Sequence, residues 1–166
     1  MKYAVVYASK TGNTKLLAEA LRPLIPQEDL VYFGMPAPEA LDADRIYIGF
    51  WTDKGTCDGE TAAFLKTVRN QGVYLFGTAG FGGCQEYYDQ VLGRVQENLD
   101  AGVTVLGTYM CQGRMPMAVR EKFERLLAAN SPIPDLDKKI QNFDKALSHP
   151  DQVDLENFRA AVQSIL

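Results

Sequence analysis

The sequence predicts an α/β fold in which helices cover both faces of a parallel β-sheet, giving a three-layer sandwich. Short runs of apolar, β-branched and aromatic residues recur along the chain. The first, third and fourth runs are each followed by a helix-patterned stretch of about four turns, and this alternation is typical of parallel sheets. The runs are almost continuously apolar, which indicates strands that are buried on both faces.

The predicted elements follow in chain order. The strands are Tyr3–Ala8, Leu30–Phe33, Arg45–Phe50, Val73–Gly77 and Val103–Tyr109. The helices between them are Thr14–Leu24, a short one near Pro38–Leu41, Gly59–Asn70 and Gln85–Leu99. Three more helical patterns follow, at Met117–Ala129, Leu136–Leu147 and Val153–Leu166. The apolar spacing of the last pattern predicts that it packs on the sheet and closes the sandwich.

The length of 166 residues suits one domain with a substantial core, so we expect a single domain over residues 1–166. A minimal fold of this kind needs only one helix after the fifth strand, and the last helical pattern supplies it. Residues 112–150 are then a mainly helical insertion. The insertion departs from the carboxyl end of that strand, where ligands bind in such sheets. We therefore expect it to border the ligand and to shape the choice of partner.

Composition excludes several classes of function. The 17 basic and 21 acidic residues give a net charge of −4, which argues against nucleic acid or an anionic membrane as a partner. No signal peptide or spanning segment is visible, so a cytoplasmic protein is expected. Cys57, Cys84 and Cys111 form no C-x-x-C pair, which fits reduced thiols better than disulfides or zinc. The only histidine, His149, offers no base–nucleophile pair.

The turn after the first strand, Ser9–Thr14, brings three hydroxyls and a glycine to the start of a helix. The first amides of a helix lack intrahelical partners, and the helix dipole favours negative charge there. This pattern indicates a phosphate site. An ordinary N-cap rich in Thr and Asn is the alternative interpretation.

The same turn resembles the phosphate loop of flavodoxins, S/T-x-T-G-x-T, and matches it at Ser9, Thr11, Gly12 and Thr14. It fits neither the P-loop of nucleotidases nor the C-x5-R loop of small tyrosine phosphatases. A receiver domain would need acidic residues at the ends of the first and third strands, and none stand there. The resemblance covers most of residues 1–110 and the closing helix. It implies the strand order 2-1-3-4-5.

In that order the loops after the first, third and fourth strands meet at one edge of the sheet. The loop Trp51–Gly59 holds the only tryptophan, and the loop Thr78–Cys84 is rich in glycine. The resemblance implies that a flavin ring stacks on Trp51 and that the glycine-rich loop reaches its pyrimidine edge. It also implies that a glycine peptide after the third strand accepts a hydrogen bond from the reduced ring, with Gly55 as the first choice and Gly59 as the second. Flavodoxins often carry a tyrosine after the fourth strand, which is missing here. The outer face of the flavin ring is then covered by Phe81, by Tyr87 or Tyr88, by the insertion, or by no group.

The expected cofactor is FMN. The expected FMN-binding residues are Ser9, Lys10, Thr11, Gly12, Asn13, Thr14, Trp51, Thr52, Asp53, Gly55, Thr78, Ala79, Gly80, Phe81 and Cys84. No catalytic residue or metal ligand is expected. The acidic residues Asp53, Asp58 and Glu60 suggest a low-potential centre, although Asp58 and Glu60 could equally cap the following helix.

The resemblance implies an electron carrier that shuttles single electrons between a reductase and an acceptor enzyme. The segments Cys111–Pro116 and Asn142–Pro150 resemble a subgroup from anaerobic bacteria, some of which serve as partners of a bilirubin-type reductase. The alternative is an FMN-dependent NAD(P)H:quinone-type oxidoreductase, since the missing tyrosine and the insertion could open a pocket over the ring. A cofactor-free interaction domain is the third hypothesis, and Trp51 beside a hydroxyl-rich loop argues against it.

Overall fold

The structure is a computed structural model, and it describes residues 1–166. The strands are β1 (Tyr3–Tyr7), β2 (Leu30–Gly34), β3 (Arg45–Asp53), β4 (Thr56–Cys57), β5 (Gly72–Ala79) and β6 (Thr104–Gln112). The helices are α1 (Asn13–Leu21), α2 (Gly59–Leu65), α3 (Gln85–Gln96), α4 (Met117–Ala128), α5 (Leu136–Ala146) and α6 (Gln152–Gln163). Single 3₁₀ segments lie at Arg22–Leu24 and Pro38–Asp42.

The main sheet has the strand order β2-β1-β3-β5-β6, and all of these neighbours are parallel. The two-residue strand β4 pairs antiparallel with β3 and lies off this path. With β4 set aside, the order is the predicted 2-1-3-4-5. The α/β fold and its strand order are therefore confirmed.

A separate apolar core lies on each face of the sheet. One core contains Phe64 and Leu65 of α2 together with Val91 and Val95 of α3. The other contains Leu17 and Leu21 of α1 together with Phe158 and Val162 of α6. Burial of each apolar helix face against the sheet is the main favourable term that holds the layers together. α6 closes the second face, as the sequence predicts.

The third strand continues beyond its predicted end at Phe50 and turns back in a hairpin. Thr52 pairs with Cys57, and Asp53 pairs with Thr56. The two residues between them have positive φ values, 51° at Lys54 and 80° at Gly55. Two positive φ values suit a tight hairpin turn, whose twist matches that of the flanking strands. The segment after Phe50 is consequently a hairpin and not the loop that the sequence predicts.

Helix α2 ends at Leu65, five residues before its predicted end at Asn70. The hydroxyl of Thr67 donates to the Phe64 carbonyl at 2.6 Å. The guanidinium of Arg69 donates to the carbonyls of Lys66 and Val68 at 2.6 and 2.8 Å. These side chains satisfy carbonyls that a longer helix would use, so the chain leaves the helix there.

Helices α4 and α5 lie between β6 and α6 in the chain, and α4 packs mainly on α5. α4 has no fully buried residue. Its Arg120 guanidinium donates to the two Asp144 carboxylate oxygens of α5 at 2.9 and 3.2 Å. No helix of the protein combines the length and the apolar character needed to cross a lipid bilayer.

Candidate functional site

The turn between β1 and α1 is shaped around the hydroxyl of Ser9. Its Oγ accepts the N–H of Gly12 at 3.1 Å and that of Lys15 at 3.3 Å. Gly12 has a φ of 89°, a left-handed conformation that L side chains rarely adopt. Ser9 and Gly12 therefore set the path of the turn and leave its other polar groups available.

Five backbone N–H groups of the turn Ser9–Thr14 have no acceptor in the protein. They belong to Ser9, Lys10, Thr11, Asn13 and Thr14. The side-chain oxygen of Asn13 is buried and also lacks a partner. Free amides clustered at a helix N-terminus form a binding site for an anion, and a phosphate group fits it.

The hydroxyl of Thr14 is directed into the protein and away from this site. Thr14 is fully buried, and its Oγ1 donates to the Phe50 carbonyl at 3.1 Å and lies 3.4 Å from the Thr78 hydroxyl. The Thr14 hydroxyl is therefore not available to bind a phosphate, unlike what the hydroxyl-rich turn suggests. Of this residue, only the backbone N–H has no partner. The hydroxyl instead ties α1 to the ends of β3 and β5.

A cleft of about 130 Å³ lies beside the turn, at the carboxyl ends of the parallel strands. Its lining residues are Lys10, Thr11, Asn13, Trp51, Thr52, Thr78, Gly80, Gly113, Arg114, Met115 and Pro116. This is the place where ligands bind in open α/β sheets. The only charged side chains in the lining, Lys10 and Arg114, are both cationic, which suits an anionic ligand.

Trp51 lies at the cleft with one ring face covered by a lysine. The Lys10 ammonium is 5.2 Å from the centroid of the indole ring, within the range of a cation–π contact. Next to it, the Thr52 hydroxyl donates to the Thr78 carbonyl at 2.8 Å and joins β3 to β5. A flat ring that stacks on this face of Trp51 must displace Lys10.

Asp58 caps α2 and holds the backbone of Trp51. Its carboxylate accepts the Thr61 N–H at 3.0 Å, the Thr61 hydroxyl, and the Trp51 N–H at 3.4 Å. The Asp58 N–H donates to the Trp51 carbonyl at 3.1 Å. Asp58 therefore caps α2, which is the alternative role that the sequence analysis gives it. None of Asp53, Asp58 and Glu60 lines the cleft. No carboxylate is therefore in the lining to produce the low redox potential that the sequence suggests.

The glycine-rich segment after β5 has free N–H groups at Gly80, Phe81 and Gly82. The Phe81 ring is 43% exposed and lies in a groove next to the cleft, beside Tyr87. Cys84 is exposed and begins α3. Neither side chain reaches the cleft lining, although both were expected at the cofactor.

The structure thus brings together part of the predicted set. The predicted residues that line the cleft are Lys10, Thr11, Asn13, Trp51, Thr52, Thr78 and Gly80. Those outside the lining are Ser9, Gly12, Thr14, Asp53, Gly55, Ala79, Phe81 and Cys84. Gly55 lies in the turn of the hairpin, where its carbonyl accepts a hydrogen bond from Arg94 at 3.0 Å.

Residues Gly113–Pro116 also line the cleft. They begin the insertion at 112–150 that was expected to border the ligand, although none of them was among the individually predicted site residues. The Gly113 N–H donates to the Ala79 carbonyl at 2.9 Å, and the Asn13 side-chain amide donates to the Arg114 carbonyl at 2.8 Å. This segment follows β6 directly, so its position at the carboxyl end of a strand was the available signal. The individual contacts depend on the loop path, which the sequence does not show.

The three cysteines are free. Burial raises the pKa of the Cys57 thiol to about 11 and also raises that of Cys111. Both buried thiols are therefore neutral at physiological pH, and neither lines the cleft.

Comparison with known proteins agrees with this architecture. A family model for the flavodoxin domain matches residues 4–163. A flavodoxin-like domain-containing protein BilS from Clostridium symbiosum is 35% identical, over 96% of this chain and 93% of that protein. A protein of the same name from Clostridioides difficile is 27% identical, over 93% of this chain and 90% of that protein.

Solved structures show the same fold. Oxidised flavodoxin 2 from Bacillus cereus superposes with a TM-score of 0.55 and 17% identity, over 99% of this chain and 97% of that one. A flavoprotein in complex with FMN from Lactobacillus acidophilus has a TM-score of 0.52 and 19% identity, over 66% of this chain and 92% of that one. The match of the family model to nearly the whole chain and the 35% identity to a flavodoxin-like relative show that the chain belongs to the flavodoxin family.

Proposed function

We propose that the protein binds FMN in the cleft at the carboxyl edge of the sheet and carries single electrons between proteins. One observation supports this most strongly: the residues Lys10, Thr11 and Asn13, whose backbone N–H groups are free, line the same cleft as the Trp51 ring. The membership in the flavodoxin family and the FMN complex of the Lactobacillus acidophilus flavoprotein support FMN as the ligand.

The phosphate of FMN would bind the N–H groups of Lys10, Thr11, Asn13 and Thr14. These donors are available because no group of the protein accepts from them. The cationic side chains of Lys10 and Arg114 would add favourable Coulomb energy. The phosphate would remain bound through neutral amides even where solvent screens those charges.

The isoalloxazine ring would stack on Trp51, and the free N–H groups after β5 would meet its polar edge. Ligand pockets usually measure roughly 300–1,000 Å³, so the cleft of about 130 Å³ has to open for the ring. Lys10 is the residue that must move, because it covers the indole face. When bound, FMN supplies the redox chemistry, and the protein orients the ring and excludes water from it.

The partners in this proposal are a reductase that donates electrons and an enzyme that accepts them. A bilirubin-type reductase is the acceptor that the resemblance to the anaerobic subgroup suggests. The alternative is an NAD(P)H:quinone-type oxidoreductase, in which a second ligand would have to reach the bound ring.

The test separates binding from function. Apoprotein is incubated with FMN, passed through a desalting column and examined by absorbance; a retained flavin spectrum is expected, and a colourless protein would contradict the proposal. The holoprotein is then mixed with NADPH or NADH and a quinone. We expect no turnover until a separate reductase is added, whereas turnover by the holoprotein alone would favour the oxidoreductase.

A further inference from the structure

The carbonyl of Gly80 is held by two side-chain amides. It accepts Nε2 of Gln112 at 3.0 Å and Nδ2 of Asn142 at 3.0 Å. The same Nε2 of Gln112 also donates to Oδ1 of Asn142 at 3.0 Å, so the two amides orient each other. We name this arrangement the amide clamp: Gln112, Asn142 and the Gly80 carbonyl.

The amide clamp determines where the next N–H points. In a trans peptide the C=O and the following N–H lie on opposite sides of the bond. The Gly80 carbonyl points towards Gln112 and Asn142, neither of which lines the cleft. The N–H of Phe81 therefore points away from them, and it has no acceptor in the protein.

Glycine alone would leave this peptide free to rotate. Gly80 has no Cβ, and Met115 packs so closely on it that an added Cβ would lie 2.5 Å from the Met115 sulfur. A side chain at position 80 would require Met115 to move, and with glycine there the conformational restriction has to come from neighbours. The amide clamp supplies it through hydrogen bonds.

Asn142 reaches the clamp from a helix outside the main sheet. It lies in α5, adjacent to Phe143, which is fully buried and anchors the helix. Gln112 is the last residue of β6. The clamp therefore joins the end of a core strand, the glycine-rich segment after β5 and a helix of the region between β6 and α6.

We propose that Asn142 and Gln112 are positioning residues that hold the Gly80–Phe81 peptide with its N–H available to the FMN ring. The proposal rests on the proposed function. It gives α5 a role in tuning the cofactor, because a hydrogen bond at the ring edge changes the relative stability of the oxidised and reduced forms.

The test compares Asn142→Asp and Asn142→Leu with Gln141→Glu. Asp and Leu have as many side-chain heavy atoms as Asn and the same branch at Cγ, but neither a carboxylate nor a methyl group can donate to the Gly80 carbonyl. Gln141 is the adjacent residue on α5 and is exposed, so its change from amide to carboxylate is a matched control for charge. Thermal unfolding of the apoproteins verifies that all the variants fold.

Two measurements follow on each variant. The first is the backbone ¹⁵N–¹H spectrum of the apoprotein, in which we expect the Phe81 and Gly82 resonances to shift in both Asn142 variants and not in Gln141→Glu. The second is FMN affinity with the two one-electron midpoint potentials. We expect affinity to fall by about tenfold or more in both Asn142 variants, with at least one potential displaced.

The two measurements separate failure of this inference from failure of the proposed function. Wild-type affinity and potentials in both Asn142 variants would overturn the positioning role. Unshifted Phe81 and Gly82 resonances in those apoproteins would overturn it without reference to FMN. If the wild-type protein itself does not bind FMN, the proposed function fails, while the spectra of the apoproteins still test the clamp.

Discussion

At the scale of single residues, the hydroxyls of the β1–α1 turn have three different tasks. Ser9 accepts two backbone N–H groups and shapes the turn. Thr14 is buried and bonds the Phe50 carbonyl. Thr11 lines the cleft, and its hydroxyl makes no hydrogen bond within the protein. The same residue type therefore serves stability at position 14 and, in our proposal, binding at position 11.

Replacement of the two threonines with valine separates these tasks. Thr14→Val leaves the Phe50 carbonyl without its buried donor, so the free energy of unfolding should fall by about 1–2 kcal/mol. Thr11→Val should leave that free energy unchanged and weaken FMN binding by about tenfold. Urea unfolding and FMN titration of both variants measure the two effects. Equal destabilisation by both substitutions would contradict this division.

At the scale of elements, the hairpin formed by β3 and β4 holds Trp51 at the cleft. The Trp51 N–H donates a hydrogen bond to the Asp58 carboxylate, and the Trp51 carbonyl accepts one from the Asp58 N–H. The Thr52 hydroxyl donates to a carbonyl of β5. The hairpin depends on left-handed conformations at Lys54 and Gly55. Its turn is also held from outside, because Arg94 of α3 donates to the Gly55 carbonyl.

Alanine at Gly55 should destabilise this hairpin. A left-handed conformation costs an L residue about 1–2 kcal/mol, and the added Cβ would lie 2.8 Å from the Arg94 guanidinium. Lys54→Gly removes the same kind of strain one residue earlier, so it should not lower stability. Thermal unfolding compares the two variants. A larger loss from Lys54→Gly than from Gly55→Ala would be inconsistent with the turn described.

At the scale of the whole molecule, the two cores bury groups that titrate at high pH. Burial raises the pKa of Cys57 to about 11, and it raises those of Tyr47 and Tyr74 to about 12. The unfolded chain releases these protons first, near the ordinary thiol pKa of 9.0 in the case of Cys57. Deprotonation thus favours unfolding, and its effect grows as the pH rises from the unfolded towards the folded pKa.

We therefore expect stability to fall with increasing pH above about pH 9. Cys57→Ala should reduce the slope of this fall, because it removes one of the buried acids. Cys84→Ala serves as the control, since the Cys84 thiol is exposed. Urea unfolding between neutral pH and about pH 10 gives the slopes. An unchanged slope in Cys57→Ala would show that this thiol is not buried as described.

The two-sided cover of helices could be predicted from the sequence, because apolar runs and helical periodicity report burial directly. The strand order was implied by the resemblance to flavodoxins. The hairpin after Phe50 was missed, since the turn Lys54–Gly55 looks like part of any polar loop. The early end of α2 depends on side-chain bonds of Thr67 and Arg69 to nearby carbonyls, which compete with helix formation only in the folded context.

Some of the residues at the cleft could also be predicted from the sequence, and others could not. Lys10–Asn13 and Trp51 were found because a motif and a unique residue mark them. Gly113–Pro116 carry no such mark, and they reach the cleft through long-range contacts with Asn13 and Ala79. Long-range contacts of this kind depend on tertiary packing, which periodicity does not encode.

In our proposal one cleft binds FMN through the amides of the β1–α1 turn and the ring of Trp51. Trp51 is the only tryptophan, so its fluorescence reports on the cleft alone. Apoprotein is titrated with FMN and, separately, with riboflavin, which lacks the phosphate. We expect saturable quenching of Trp51 at one equivalent of FMN and much weaker binding of riboflavin. Emission that FMN leaves unchanged, or riboflavin binding as tight as that of FMN, would contradict the proposed binding site.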